Sequence, residues 1–223
     1  MEGSKNIIIL GTGGSSIDIL DILNDINSLP PGPKYRCIGF LDDDQAHWGK
    51  EICGIKVLGP LHAARDFPEA NFINGIGTPA NFWKKEVIIS KTWLPLERYE
   101  TLVHPSASVS RMATLGFGTA VLQNVTINSY AHIGDHVVIL PNTVISHNSV
   151  IGDYTCMASG ACLSGKVKIG KSCYVGNNSA IIGDVSIGNY CLIGMGSVVL
   201  HDIGDNSVVV GNPAKFLRHT REV

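Results

Sequence analysis

The 223-residue sequence contains no apolar run approaching the roughly 20 residues a bilayer-crossing helix needs, so no membrane partner is expected. The opening Met1 to Ile9 is too short for the charged and apolar regions of a signal peptide, and the expected location is the cytoplasm. Excess positive charge is missing as well. With 17 Lys and Arg against 19 Asp and Glu, the net charge of -2 lacks the basic footprint of a protein that grips nucleic-acid phosphates. None of Cys37, Cys53, Cys156, Cys162, Cys173 and Cys191 forms a CxxC pair or stands at metal-ligand spacing from a histidine. Neither a disulfide framework nor a metal site is expected, and the thiols read as reduced and mostly packed. What remains is a hydrophobic content of 44%, ample for the core of one large or two small domains.

The chain divides in composition. Residues 1–100 hold most of the 10 prolines and all 3 tryptophans, whereas residues 101–223 are Gly, Val and Ile punctuated by short polar pairs. In the first part the β-branched run Asn6 to Leu10 meets the turn Gly11-Thr12-Gly13-Gly14 and an amphipathic stretch from Ser15 to Asn27 with Ile19, Ile22, Leu23 and Ile26 apolar. After Pro30-Pro31-Gly32-Pro33, Tyr35 to Leu41 reads as a second strand ending on Asp42-Asp43-Asp44. One βαβ unit with a parallel pair is the economical assembly. Strands at Lys56 to Leu58 and Asn71 to Ile76, with helices near Leu61 to Phe67 and Asn81 to Ser90, complete a small Rossmann-like α/β layer.

From Val103 to Val199 every sixth residue is a large aliphatic, and four residues after each stands a smaller one, such as Ala107, Ala113, Thr119, Ala131, Thr155, Cys173 or Ser197. Period six fits neither a flat sheet nor an α-helix; it demands a short strand and a corner per repeat, as in a parallel β-helix of hexapeptides. Three sides make an 18-residue coil, a period seen again in Leu115-Gly116, Ile133-Gly134, Ile151-Gly152, Ile169-Gly170 and Ile187-Gly188. These glycines are expected in one column at equivalent corners. Cys173 and Cys191, 18 apart at a small inward position, should stack as core filler.

The repeat, the Gly-rich α/β segment, the phrase Gly39-Phe40-Leu41-Asp42-Asp43 and the ending Gly211-Asn212-Pro213-Ala214-Lys215 together resemble bacterial sugar acyltransferases of the PglD and NeuD type. The resemblance implies a left-handed β-helix assembled as a homotrimer, acetyl-CoA in a groove between subunits, no metal, and an N-terminal domain holding a nucleotide-linked sugar. It places the catalytic histidine in Val144-Ile145-Ser146-His147-Asn148-Ser149-Val150, with His147 as general base and Asn148 beside it where relatives carry an acidic residue. An asparagine can fix the ring's tautomer by hydrogen bonding but cannot stabilise the imidazolium as a carboxylate would. Two further departures are Cys156, where some relatives place a histidine near the thioester, and Ser15, where relatives often continue the glycine loop with histidine.

Counting 18 onward from His147 gives Gly165, Gly183 and His201. Two bare glycines on successive coils would open a slot roughly 10 Å long at the imidazole, thin enough for a pantetheine arm. Cys156, Gly165, Asn177, Gly183 and Met195 are the expected cofactor contacts. His132 and His136 align by 18 with ordinary surface positions and read as ladder residues. On the first domain, Gly13, Gly14 and Ser15 offer a helix N-terminus to phosphate, Asp42 and Asp43 can accept hydrogen bonds from a ribose or base, and Gly77 ends a strand on the same edge. Ser16 stands where a full dinucleotide fingerprint has its third glycine, and Asp42 lies too far downstream for its acidic residue, which disfavours NAD.

The expected activity is N-acetylation of a nucleotide-activated amino sugar, such as a 4-amino-4,6-dideoxyhexose, in glycan or surface polysaccharide synthesis. O-acetylation of a sialic-acid-like sugar needs the same architecture, and a non-catalytic trimeric scaffold that senses nucleotide sugars is a third reading. A carbonic-anhydrase-type metalloenzyme would need three convergent histidines, which His132, His136 and His147 do not supply.

Overall fold

The computed structural model describes residues 4–220. Strand β1 (Lys5–Leu10), helix α1 (Gly14–Asn27) and strand β2 (Tyr35–Leu41) form the expected parallel unit. Strands β3 (Glu51–Ile52), β4 (Ile55–Gly59) and β5 (Ala70–Asn74) complete a sheet of order β3-β4-β2-β1-β5. The short β3 pairs antiparallel with β4 through Cys53-Gly54, a hairpin that two residues of strand pattern were too few to announce. The expected helix at Leu61 to Phe67 is a 3-10 segment, Leu61–Asp66, and that at Asn81 to Ser90 is a 3-10 turn running into α2 (Lys85–Ser90). Ser16, in place of the third glycine, is accommodated from the other side: a Cβ on Gly75 would meet the Ser16 Cα at 2.8 Å, so the glycine that lets α1 approach the sheet sits after β5.

From Leu102 to Val199 the chain winds as a parallel β-helix of two-residue strands, each hydrogen-bonded to the strand 18 residues away on three flat faces, for example His132 to Val150 and Val144 to Cys162. The period-six aliphatics fill the prism, with Ile139, Ile145, Met157, Leu163 and Val175 all 0% exposed. The smaller inward residues do more than fill space. Thr119 Oγ1, Thr155 Oγ1 and Cys173 Sγ donate to the carbonyls of Gly134, Gly170 and Gly188, each 15 residues on, so hydroxyls and a thiol satisfy the corner of the next coil. Cys173 and Cys191 stack as expected, with the Cys191 amide donating to Cys173 Sγ at 3.4 Å.

The glycine column is where its spacing puts it, for a different reason than corner conformation. The left-handed backbone falls on Gly118, His136, Tyr154, Ser172 and Tyr190, two residues beyond those glycines. Gly116, Gly134, Gly152, Gly170 and Gly188 are bare because the next coil leaves no room. A Cβ on Gly152 would stand 2.6 Å from both Gly170 C and Lys171 N, backbone atoms that cannot swing aside. Gly152→Ala is therefore expected to lower stability by about 1–3 kcal/mol, read as a shift of the urea midpoint.

The outward residues of one face, Leu102, Ala120 and Val138, are buried beneath α1 and the α/β sheet. His104 staples this junction: Nε2 lies 2.8 Å from Asp25 Oδ2 on α1 and Nδ1 lies 2.7 Å from Ser106 Oγ in the first coil.

Candidate functional site

A cavity of about 330 Å³ opens at the C-terminal edge of β1, β2 and β5, lined by Gly11, Thr12, Gly13, Asp42, Asp43, Gly75, Gly77, Thr78, Asn81 and Lys91 among others. This is the edge where open parallel sheets collect ligands. Gly13 precedes the first residue of α1, whose first turn carries no acidic side chain, so the positive helix end faces the cavity mouth without local neutralisation. Gly14 and Ser15 begin α1 beside the cavity; a Cβ on Gly14 would meet nothing within 4 Å.

The two carboxylates at the end of β2 are held differently. Asp42 Oδ2 accepts from Thr12 Oγ1 at 2.7 Å, and Thr12 Oγ1 also lies 2.8 Å from His47 Nδ1, so the glycine turn is tied to the acidic turn. Asp43 accepts from the Leu61 amide at 3.0 Å and from Lys91 Nζ at 2.6 Å. Partial burial works against its ionisation, but the Lys91 ammonium and the amide outweigh it and lower the Asp43 pKa. Thr12, His47, Thr78, Asn81 and Lys91 went unread in the sequence because a single hydroxyl, amide or lysine carries no periodicity, and only the fold brings them to one edge.

On the β-helix, His147 lies at an exposed corner after the strand Val144–Ile145. Its Nδ1 is 3.0 Å from Asn148 Oδ1, and Asn148 takes the left-handed φ of 60° that the corner requires. An amide oxygen can only accept, so Nδ1 is the donor of this contact, which leaves Nε2 as the nitrogen positioned to accept a proton. The ring lies over Gly165, where a Cβ would stand 2.6 Å from both Nε2 and Cε1. Gly165 thus seats the imidazole rather than flooring an empty slot as the spacing suggested. The bare floor starts one coil on, at Gly183, where a Cβ would meet Gly165 O at 3.0 Å.

The other expected cofactor contacts separate. Asn177 and Met195 follow strands Tyr174–Val175 and Leu192–Ile193 and lie on a different edge of the prism from His147, Gly165 and Gly183. Met195 is 76% exposed there. Cys156 departs further from expectation. It is buried on the face covered by the α/β layer, where its Sγ accepts from Lys85 Nζ at 3.5 Å and a Cβ on Gly77 would collide with it. Its thiol thus faces the junction between the α/β layer and the β-helix, beside Gly77 of the cavity.

His136 is corrected. Expected as a surface ladder residue, it is 1% exposed, stacked on Tyr154 with ring centroids 5.1 Å apart and met edge-on by Tyr99 at 4.4 Å. The 18-residue register placed it properly but could not reveal that the α/β layer covers that corner. His132 remains exposed, as expected, with Nδ1 2.8 Å from Thr114 Oγ1. Burial, with a smaller contribution from Lys85, pushes the His136 pKa from 6.5 down to about 3. The folded protein therefore binds fewer protons here than the unfolded chain at acid pH. Stability from this group is complete above about pH 6.5 and is lost as pH falls toward about 3, by on the order of a few kcal/mol. His136→Leu is expected to flatten that acid loss, compared with wild type by urea midpoints at about pH 7.5 and pH 4.5.

No group of three or more His, Cys, Asp or Glu side chains suited to a metal occurs among the described residues.

The chain matches the PglD N-terminal domain over residues 6–88 and the bacterial transferase hexapeptide model over 130–165 and 166–201. Among solved structures, the acetyltransferase domain of PglB from Neisseria gonorrhoeae is 23% identical, covering 96% of this chain and 100% of that one, with a TM-score of 0.83. PerB from Caulobacter crescentus, solved with CoA and GDP-perosamine, is 25% identical over 98% of this chain and 99% of its own, with a TM-score of 0.79. A variant of AntD, an N-acyltransferase from Bacillus cereus solved with dTDP-4-amino-4,6-dideoxyglucose and coenzyme A, is 18% identical over 55% of this chain and 82% of its own, with a TM-score of 0.52. The winding is the left-handed one of these hexapeptide folds. No curated protein matches the chain significantly.

Proposed function

We propose that this chain, which joins a PglD N-terminal domain to bacterial transferase hexapeptide repeats, is an acetyl-CoA-dependent N-acetyltransferase of a nucleotide-activated amino sugar. The observation that carries the reading is the His147 ring, held by Asn148 with Nε2 free at an exposed corner of the helix. The nucleotide occupies the cavity on the α/β edge, with Gly13, Gly14 and Ser15 at its diphosphate and Asp42, Asp43 and Gly77 at its nucleoside. The sugar amine attacks the thioester carbonyl of acetyl-CoA, His147 Nε2 takes the proton the amine sheds, the C–S bond breaks, and the imidazolium returns that proton to the departing sulfur so that coenzyme A leaves as the thiol. Solved relatives that hold CoA with GDP-perosamine, or with a dTDP-linked 4-amino sugar, support an amine as acceptor.

A homotrimer supplies the second wall of the groove. Its support is the division of Gly183 from Asn177 and Met195 onto two edges of one prism, which a neighbouring subunit can bring face to face. A second support is the face formed by Ser108, Thr126, Val144, Cys162, Ala180 and Val198, whose outward residues carry no charge. The reaction is proposed for the cytoplasm; no helix among the described residues is long and apolar enough to cross a membrane.

N- and O-acetylation separate on the product. The amide expected here survives mild base, whereas an ester is hydrolysed; a base-labile acetyl group on the isolated product transfers the assignment to O-acetylation. Asn148→Asp gives a second expected outcome. A carboxylate against Nδ1 holds the imidazolium more firmly, so the acid limb of kcat/KM moves to higher pH, and an unmoved limb removes His147 from the base role.

A further inference from the structure

Behind the cavity on the α/β edge lies a buried primary amine that donates to a thiol. Lys85, in the first turn of α2, is 0% exposed, and none of the ion pairs among the described residues includes it. Its Nζ donates to Cys156 Sγ at 3.5 Å across the junction between the two parts of the chain. A buried ammonium without a carboxylate is costly, and burial lowers the Lys85 pKa, the thiol opposing that shift only in part. The shift favours the neutral, nucleophilic form of the amine relative to an exposed lysine.

We propose that Lys85 and Cys156 form an oxidative modification site, in which a peroxide joins the amine and thiol through a covalent sulfur–nitrogen bond. Cys156 sulfur attacks one peroxide oxygen; the O–O bond breaks, water leaves, and the thiol becomes a sulfenic acid. Lys85 nitrogen then attacks that sulfur, an S–N bond forms, and the sulfenic hydroxyl departs as a second water with a proton from the amine. One thiol, one amine and one hydrogen peroxide give the cross-link and two waters; sulfur is oxidised and peroxide reduced. Condensation of a sulfenic acid with nitrogen is an established step of cysteine oxidation. The reach for a small oxidant is through Gly77: it lines the cavity, and a Cβ there would run into Cys156 Sγ, so only backbone separates the thiol from the pocket. The bond would tie α2 to the β-helix beside the cavity wall.

The test is peroxide treatment of the whole protein followed by intact mass and peptide mapping. The expected result is a loss of about 2 Da, a peptide pair joined through Lys85 and Cys156, and reversal by dithiothreitol. Lys85→Met, which keeps an apolar chain in the buried space, should lose the joined peptide, as should Cys156→Ala. Because the wild-type map is decisive alone, misfolding of a variant leaves the test intact. Oxygen additions at Cys156 with Lys85 unmodified, a mass loss mapping to Cys173 and Cys191, or no change at either residue would each overturn the proposal.

Discussion

His147→Ala is expected to lower kcat for acetyl transfer by about two to four orders of magnitude, the range a positioned general base contributes. The effect should fall on kcat, because the side chain acts on a proton that moves in the transition state rather than on either bound substrate. Binding of acetyl-CoA, followed by calorimetry, should change little. Unfolding is not a competing explanation, since the ring is exposed and, among the described residues, its side chain hydrogen-bonds only to Asn148, at 3.0 Å. Unchanged turnover in this variant would remove His147 from the reaction.

Gly165→Val is expected to cost about 100-fold in kcat while leaving the urea midpoint nearly unchanged, because a misplacement of about 1 Å at a reacting group carries a penalty of that size. A Cβ at Gly165 would lie 2.6 Å from the Nε2 of His147, and the imidazole is the movable end of a side chain, so the ring swings away and the coil stays intact. Gly152 offers the contrast: the atoms a Cβ would meet there are backbone, so the loss is in stability. Activity and stability measured on Gly165→Val and Gly152→Ala should therefore fall in opposite order. A Gly165 variant with full activity would mean that the ring's position over the glycine has no bearing on catalysis.

The β-helix was legible almost residue by residue because its physics is periodic: a two-residue strand with one residue inward, a corner, and a third of a coil. Even so, the reason for its glycines was not. The sequence pattern of Ile151-Gly152 is the same whether Gly152 relieves a strained φ or makes room for the neighbouring coil, and only the distance to Gly170 separates the two. The burial of His136, and of Cys156 on the same side, went unread for a related cause. Their register was right, but which of three faces a second layer covers depends on Leu102, Ala120 and Val138 meeting α1, contacts distant in sequence. In the α/β layer, Asp42, Asp43 and Gly77 were readable because strand ends are marked by composition, while Lys91 reaches Asp43 from a helix end 48 residues away. His147 was found through resemblance, and its fixed tautomer and its seat on Gly165 came from the structure.

The account stands most directly on a thiol-release assay with acetyl-CoA and a panel of nucleotide-linked 4-amino sugars, run beside the same sugars without the nucleotide. The account predicts turnover with at least one nucleotide-linked amine, and a KM that rises steeply when the nucleotide is removed, because the cavity at Gly13 and Asp42 then has nothing to hold. No coenzyme A release from any member of the panel, with acetyl-CoA and nucleotide sugar both bound, would contradict it.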